Sequence, residues 1–256
     1  MTAPPSNRLQ LSQEGLKTAA CASMLLDHFG AIVVLAAIRA AVSSRNHTGS
    51  LPDVYELLRT VGRLAFPIYS FLLSEGAAHT RNSGRYASRL VIAVLLSELP
   101  FDLALHNSFS WQNQSVMVTL LLGFLALQCM KKCSRLIGKL LVVLPFALTA
   151  DFLNTDYGAN GVILITLFHL TRNLPRKHLW QALGMWFLFS PNHLMVLNWL
   201  SGVPVTTQEL AVFAIIPISL YSGEKKSSSK LLQWGFYLFY PLHLALLWLV
   251  KGLLFA

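Results

Sequence analysis

Along the chain, apolar runs alternate with short polar segments, and the runs are too long and continuous for a core solvated by water. The first, Leu16–Ile38, reads LKTAACASMLLDHFGAIVVLAAI; its 23 residues, taken as a helix, cross a hydrocarbon layer of roughly 30 Å. Further runs follow at Leu57–Ala78, Tyr86–Leu105, Ser115–Met130, Leu136–Leu153, Gly161–Leu170, His178–Leu200, Glu209–Tyr221 and Leu231–Leu254. The sixth is short, so Tyr157 and Ala159 are expected to extend it, and SPNH at 190–193 interrupts the seventh. This pattern predicts an all-α polytopic membrane protein of about nine transmembrane helices enclosing a polar intramembrane cavity. Residues 1–15 are expected to form a short cytoplasmic segment, and 16–256 a single transmembrane domain.

Composition agrees with the pattern. Hydrophobic residues make up 54% of the chain and charged residues only 12%, about half the roughly 25% of a soluble domain. The formal charge of +9 invites a nucleic-acid reading, but the bases sit in clusters between apolar runs, as topology determinants do. With the amino terminus inside, 15 of 20 bases face the cytoplasm: Arg8, Lys17, Arg81, Arg85, Arg89, Lys131, Lys132, Arg135, Lys139, Arg172, Arg176, Lys177, Lys225, Lys226 and Lys230. That bias predicts a multi-pass protein of the cell membrane, amino terminus cytoplasmic and carboxyl terminus extracytoplasmic. No nucleic acid is expected as a partner; membrane lipids are. The three cysteines, Cys21, Cys129 and Cys133, fall short of a four-ligand zinc site, so no metal is expected. No cleavable signal peptide is expected either, because the first run is too long and carries charge.

The informative residues are those that break the apolar pattern. Asp27 and His28 lie in the middle of the first run, where an unpartnered charge costs several kcal/mol. His28 is 11 residues beyond Lys17, roughly 16 Å deep, and His243 lies 12 residues beyond Leu231 at a similar depth. Adjacent helical residues point about 100° apart, so Asp27 is expected to pair with Arg63 or another base, not to orient its neighbour's ring. His28 is then a general base or an acyl acceptor, with a structural histidine between helices as the bland alternative. Arg63 is a counter-ion, an oxyanion clamp or a snorkelling cation. Glu98 and Asp102 flank Pro100 on one helical face and fit substrate binding or pairing with Arg63. Glu75, in the inner half of the second run, Asp156, in the turn NTDYGAN, and His243 complete the substrate-binding candidates. Arg81, Arg85 and Arg89, spaced by four, can grip phosphates or simply anchor the topology. Mid-plane carboxylates and broken helices suit a proton-coupled transporter using Asp27, Glu98 and Asp102 as well as they suit catalysis. A scaffold protein is the third class.

Several blocks, taken together, carry a resemblance. LKTAACASMLLDHFG, GRLAFPIYSFLLSEG, the RY–RL segment leading into SELPFDLA, DYGANGVILI and FYPLHLALL, in order over about 16–249, resemble the TraX family. That resemblance implies N-terminal acetylation of a pilin with acetyl-CoA as the donor. It is also similar to integral-membrane acyltransferases that modify surface polysaccharides and other extracytoplasmic acceptors. On that likeness His28 takes the place of the catalytic histidine, FPIYSFLL (66–73) that of the second span, and Arg85–Arg89 that of the donor-side arginines. The last cytoplasmic loop, SGEKK (222–226), is shorter than the likeness leads one to expect. The expectation is therefore acetyl transfer from cytoplasmic acetyl-CoA to an extracytoplasmic acceptor, a pilin N-terminal amine or a cell-surface glycan or small molecule. His28 and Asp27 are the catalytic candidates, Arg81, Arg85 and Arg89 the donor-binding ones.

Overall fold

A computed structural model of the chain describes residues 10–111, 113–190, 208–224 and 229–255, and among these it is helical with no strand. Helix α1, Gln13–Ser43, is the long first run. Ser12 caps it by accepting a hydrogen bond from the Gly15 amide at 3.2 Å, and Glu14 sits in its first turn, where the helix dipole favours a carboxylate. Two residues beyond His28 the α1 ladder widens to a π-turn at Gly30–Val34. A Cβ at Gly30 would lie 3.1 Å from Leu58, so the helix after it crosses close at this point.

The second run departs from the expectation. It is not one span from Leu57 to Ala78 but two helices, α2 (Leu51–Gly62) and α3 (Ala65–His79), broken at Arg63–Leu64. α2 is amphipathic and packs along α1, whereas α3 is apolar all round. A helix with no polar face belongs inside, and ten of the fifteen residues of α3 are buried. α3 is the central post, against which α1, α5 (Val116–Met130) and α7 (Gly158–Thr171) pack.

The remaining helices follow the apolar runs closely. Helix α4, Ser83–His106, begins at Asn82, whose side chain accepts from the Arg85 amide at 2.8 Å, and ends at Asn107 in the left-handed region. α5, α6 (Leu136–Phe152) and α7 form a mutually packed trio. α8 (Lys177–Phe189) covers α7; α9 (Glu209–Ser219) packs on α8 and α3; α10 (Lys230–Phe255) lies along α4 and also meets α1. The SPNH interruption falls outside the described residues apart from Ser190, as do Arg8, Lys225 and Lys226.

The core is mainly apolar, yet it takes in polar side chains while large apolar ones face outward. Ser70, Ser97, Asp102, Thr119, Gln181 and Glu209 are buried, while α6 presents Ile137, Leu141, Leu144, Leu148 and Phe152 outward along one stripe. Phe152 is 88% exposed and Leu95, on α4, 72%. Water would penalise such faces, and a lipid interior would not. Two helices, α1 and α10, are long and apolar enough to cross a membrane; α5, α7 and α9 are shorter apolar helices. The chain is thus an all-α, membrane-associated protein.

Close packing at Gly161 generates a stability prediction. A Cβ there would fall 2.5 Å from Thr119 Cγ2 and 2.9 Å from Phe66 Cζ, so α7 can approach α5 and α3 only without a side chain. Gly161→Val should cost about 1–3 kcal/mol through overpacking. Gly252→Ala, at a position open to its surroundings, should leave stability unchanged or raise it slightly. Thermal unfolding of both variants in detergent checks the contrast.

Candidate active site

A cavity of about 240 Å³ runs between α1, α3, α4, α5 and α10. One end is framed by Gln13, Lys17, Arg89, Gln233 and Phe236; the other reaches Asp27, His28, Gly62, Asp156 and Tyr157. From Gln13 to His28 the α1 wall rises by roughly 22 Å at 1.5 Å per residue. Apolar side chains, among them Met24, Phe66, Leu73, Leu90 and Leu120, form the walls between.

The mouth is cationic and aromatic. Lys17 Nζ lies 5.2 Å from the centre of the Phe236 ring, and the Arg89 guanidinium lies 5.4 Å from that of Tyr86 and 5.8 Å from that of Tyr237. The guanidinium of Arg89 thus lies within reach of both tyrosine rings. A Cβ at Gly76 would stand 2.8 Å from the Tyr86 hydroxyl, which places that ring against the backbone of α3.

At the deep end Asp27 and His28 diverge, as adjacent helical residues must. Asp27 turns to the α2–α3 break, with Arg59 Nη1 2.6 Å from Oδ2 and Arg63 Nη2 3.6 Å from Oδ1. A Cβ at Gly62 would fall 2.2 Å from that of Asp27, so a glycine is required for α2 to deliver both arginines. Ser23 Oγ pins the same corner by donating to the Val61 carbonyl at 2.7 Å. His28 turns to α10. Its Nδ1 lies 2.6 Å from His243 Nε2, the two rings stack with centroids 4.9 Å apart, and His243 Nδ1 lies 2.6 Å from the Phe239 carbonyl. The Tyr240 ring meets His28 edge-on at 5.8 Å.

Arg63 extends the cluster beyond Asp27. Its Nη1 donates to Gln208 Oε1 at 3.1 Å, and it lines a cavity together with Tyr157. Tyr157 adopts a left-handed backbone, φ 69°, a conformation that costs a non-glycine residue of the order of 1 kcal/mol or more. It is held there from both sides. Its ring stacks on Phe66 at 3.8 Å, and Thr119 Oγ1 donates to the Asp156 carbonyl. A second cavity opens on the far side of this turn, lined by Arg63, Asn160, Leu188, Phe189 and Gln208. Asp156 and Tyr157 line both cavities and so form the wall between them.

Several candidates from the sequence lie elsewhere. Glu98 does not reach Arg63: it accepts from the Ser115 hydroxyl at 2.6 Å and amide at 3.2 Å, tying down the start of α5. Asp102 accepts from the Ser110 amide at 3.0 Å. Both carboxylates therefore fasten the loop between α4 and α5. Glu75 faces Arg172 at 3.6 Å and His79 at 3.9 Å, an ion pair between α3 and α7 outside the cavity. Of the three spaced arginines only Arg89 lines the cavity; Arg81 precedes α4 and, like Arg85, is exposed. His243 contacts His28 and is not itself on the cavity wall. The sequence reading missed Arg59, Gly62, Tyr157 and Lys17 as site residues. Arg59 lies four residues before Arg63, the spacing that puts two side chains on one helical face, and that signal was present. Nothing local in the sequence marks Gly62.

The described residues thus form an all-helical, membrane-associated protein with a paired histidine and an ion cluster at the end of an apolar cavity. Comparison with known proteins narrows this description: the family model described as TraX protein matches residues 12–251. The chain belongs to the TraX family. A relative from Dichelobacter nodosus, described as "Probable fimbrial assembly protein FimC, serogroup H1", is 31% identical over 265 residues, covering 94% of this chain and 96% of the relative. No solved structure matches.

Breaking the ion cluster yields the second prediction. Asp27→Asn leaves Arg59 and Arg63 facing each other without a counter-charge. The side chains are 14–22% exposed, so the loss should be about 2 kcal/mol, below the roughly 3–5 kcal/mol of a fully buried pair. Adding Arg59→Leu should recover part of it by removing the repulsion. Denaturation midpoints of the single and double variants measure both effects.

Proposed function

We propose that this protein is an integral-membrane acyltransferase that moves an acetyl group from cytoplasmic acetyl-CoA to an extracytoplasmic acceptor. The observation that carries the reading is the cavity itself, cationic and aromatic at one end, apolar along its length, and closed by His28 at the other. Such a gradient of chemistry suits a donor with a phosphate-rich head and a long, weakly polar arm ending in a thioester. Lys17 and Arg89 hold the phosphates, and the Tyr86–Tyr237 pair supplies flat apolar surface beside them. Arg81 and Arg85, exposed near the mouth, add positive potential.

His28 acts as the general base. A free acceptor amine, or a hydroxyl, attacks the thioester carbonyl; the new C–N or C–O bond forms and the C–S bond breaks. His28 takes the proton lost by the acceptor and returns it to the departing thiolate, so the enzyme ends as it began. The acceptor enters from the second cavity, lined by Asn160 and Arg63, and meets the thioester when the Asp156–Tyr157 wall between the cavities parts; Arg63, beside that wall, then faces the developing oxyanion. Asp27 keeps Arg63 in place and so works through it.

The proposed topology has about nine crossings, with the mouth at Lys17 and Arg89 in the cytoplasm and the second cavity on the outer side. A donor from one compartment then meets an acceptor from the other. The acceptor class is an N-terminal amine of a pilin or a surface glycan; the name of the fimbrial-assembly relative supports the pilin.

Purified protein should bind acetyl-CoA, which a transporter or scaffold has no reason to do. His28→Ala should retain that binding and lose acetyl transfer by about 10²-fold or more. Arg89→Ala should weaken binding with little effect on the rate at saturation. Equilibrium binding and transfer of labelled acetyl to a pilin N-terminal peptide measure these; full activity in His28→Ala overturns the scheme.

A further inference from the structure

We propose that His243 is a positioning residue that locks His28 in its Nδ1-protonated tautomer and leaves Nε2 as the base. The inference rests on the role given to His28 above, but the tautomer follows from hydrogen-bond chemistry alone. The Phe239 carbonyl can only accept, so the 2.6 Å contact places the proton on His243 Nδ1. A neutral His243 then carries a lone pair on Nε2. That nitrogen lies 2.6 Å from His28 Nδ1, and two nitrogens this close share one proton, so His28 Nδ1 must be the donor. The remaining nitrogen of His28, Nε2, is left with its lone pair on a ring that lines the donor cavity.

Neutrality of the pair is a matter of surroundings. Both rings are buried, His28 at 8% and His243 at 5% exposure. Tyr240 packs edge-on against both, Phe239 stacks on His243 at 4.8 Å, and the nearest carboxylate in sequence, Asp27, is engaged by Arg59 and Arg63. A charged imidazole there would be desolvated with no counter-ion in contact among the described residues. Only during proton transfer does His28 become cationic. Its Nδ1–H is then already directed at a lone pair, with the Phe239 carbonyl behind it, so the transient charge is spread along two hydrogen bonds. In many soluble enzymes a carboxylate orients the histidine; here a second histidine does so without introducing a permanent negative charge at depth.

The test is nitrogen NMR of the purified protein labelled with ¹⁵N-histidine, with His28 signals identified by their loss in His28→Gln. Wild-type His28 should show the Nδ1–H tautomer. His243→Gln, whose side-chain oxygen can accept from Nδ1–H, should keep that tautomer and retain transfer within about tenfold. His243→Leu should shift His28 to Nε2–H and lower the transfer rate by about 10²-fold, the range of a general base's contribution, at an unchanged acetyl-CoA affinity. An Nε2–H tautomer in the wild type, or an unchanged one in His243→Leu, overturns the proposal, and the wild-type measurement stands even if the leucine variant fails to fold. Wild-type protein with the Nδ1–H tautomer but no transfer to any acceptor would refute the acyltransferase reading and leave the tautomer assignment intact.

Discussion

A carboxylate placed deep in an apolar protein must be matched, and the matching of Asp27 organises much of this structure. Two arginines reach it because α2 crosses α1 where Gly62 has no side chain. The break between α2 and α3 follows, since it puts Arg63 at a corner where its guanidinium can turn to Asp27 and Gln208 at once. That one cation therefore joins elements separated by some 180 positions in the chain, from Asp27 in α1 to Gln208 before α9. The arrangement frees His28, one residue on, from any need to neutralise Asp27, and lets it face α10.

The helices were largely legible because their apolar runs and caps are local properties. Tyr86–Leu105 became Ser83–His106 and Leu136–Leu153 became Leu136–Phe152, differences of a few residues at the ends. The second run misled because apolar character continues across Arg63 while the backbone turns there. Hydropathy registers solubility in lipid; it is blind to a corner made of helical residues.

The site was legible in its central residues and not in its partnerships. Depth along separate helices placed His28 and His243 at one level, and they meet. The same argument grouped Glu98 and Asp102 with Arg63, and failed, because depth fixes one coordinate only and the face of α4 that bears them turns to the loop before α5. Gly62 and Tyr157 were invisible for another reason. Their importance lies in what comes close to them, which a single chain read residue by residue does not contain.

The turn at Asp156–Tyr157 stands between two spaces. The partition consists of these two residues, which line a cavity on either face. The Tyr157–Phe66 stack and the strained backbone beneath it hold that partition in place, so the turning of one ring would join two cavities into a single passage.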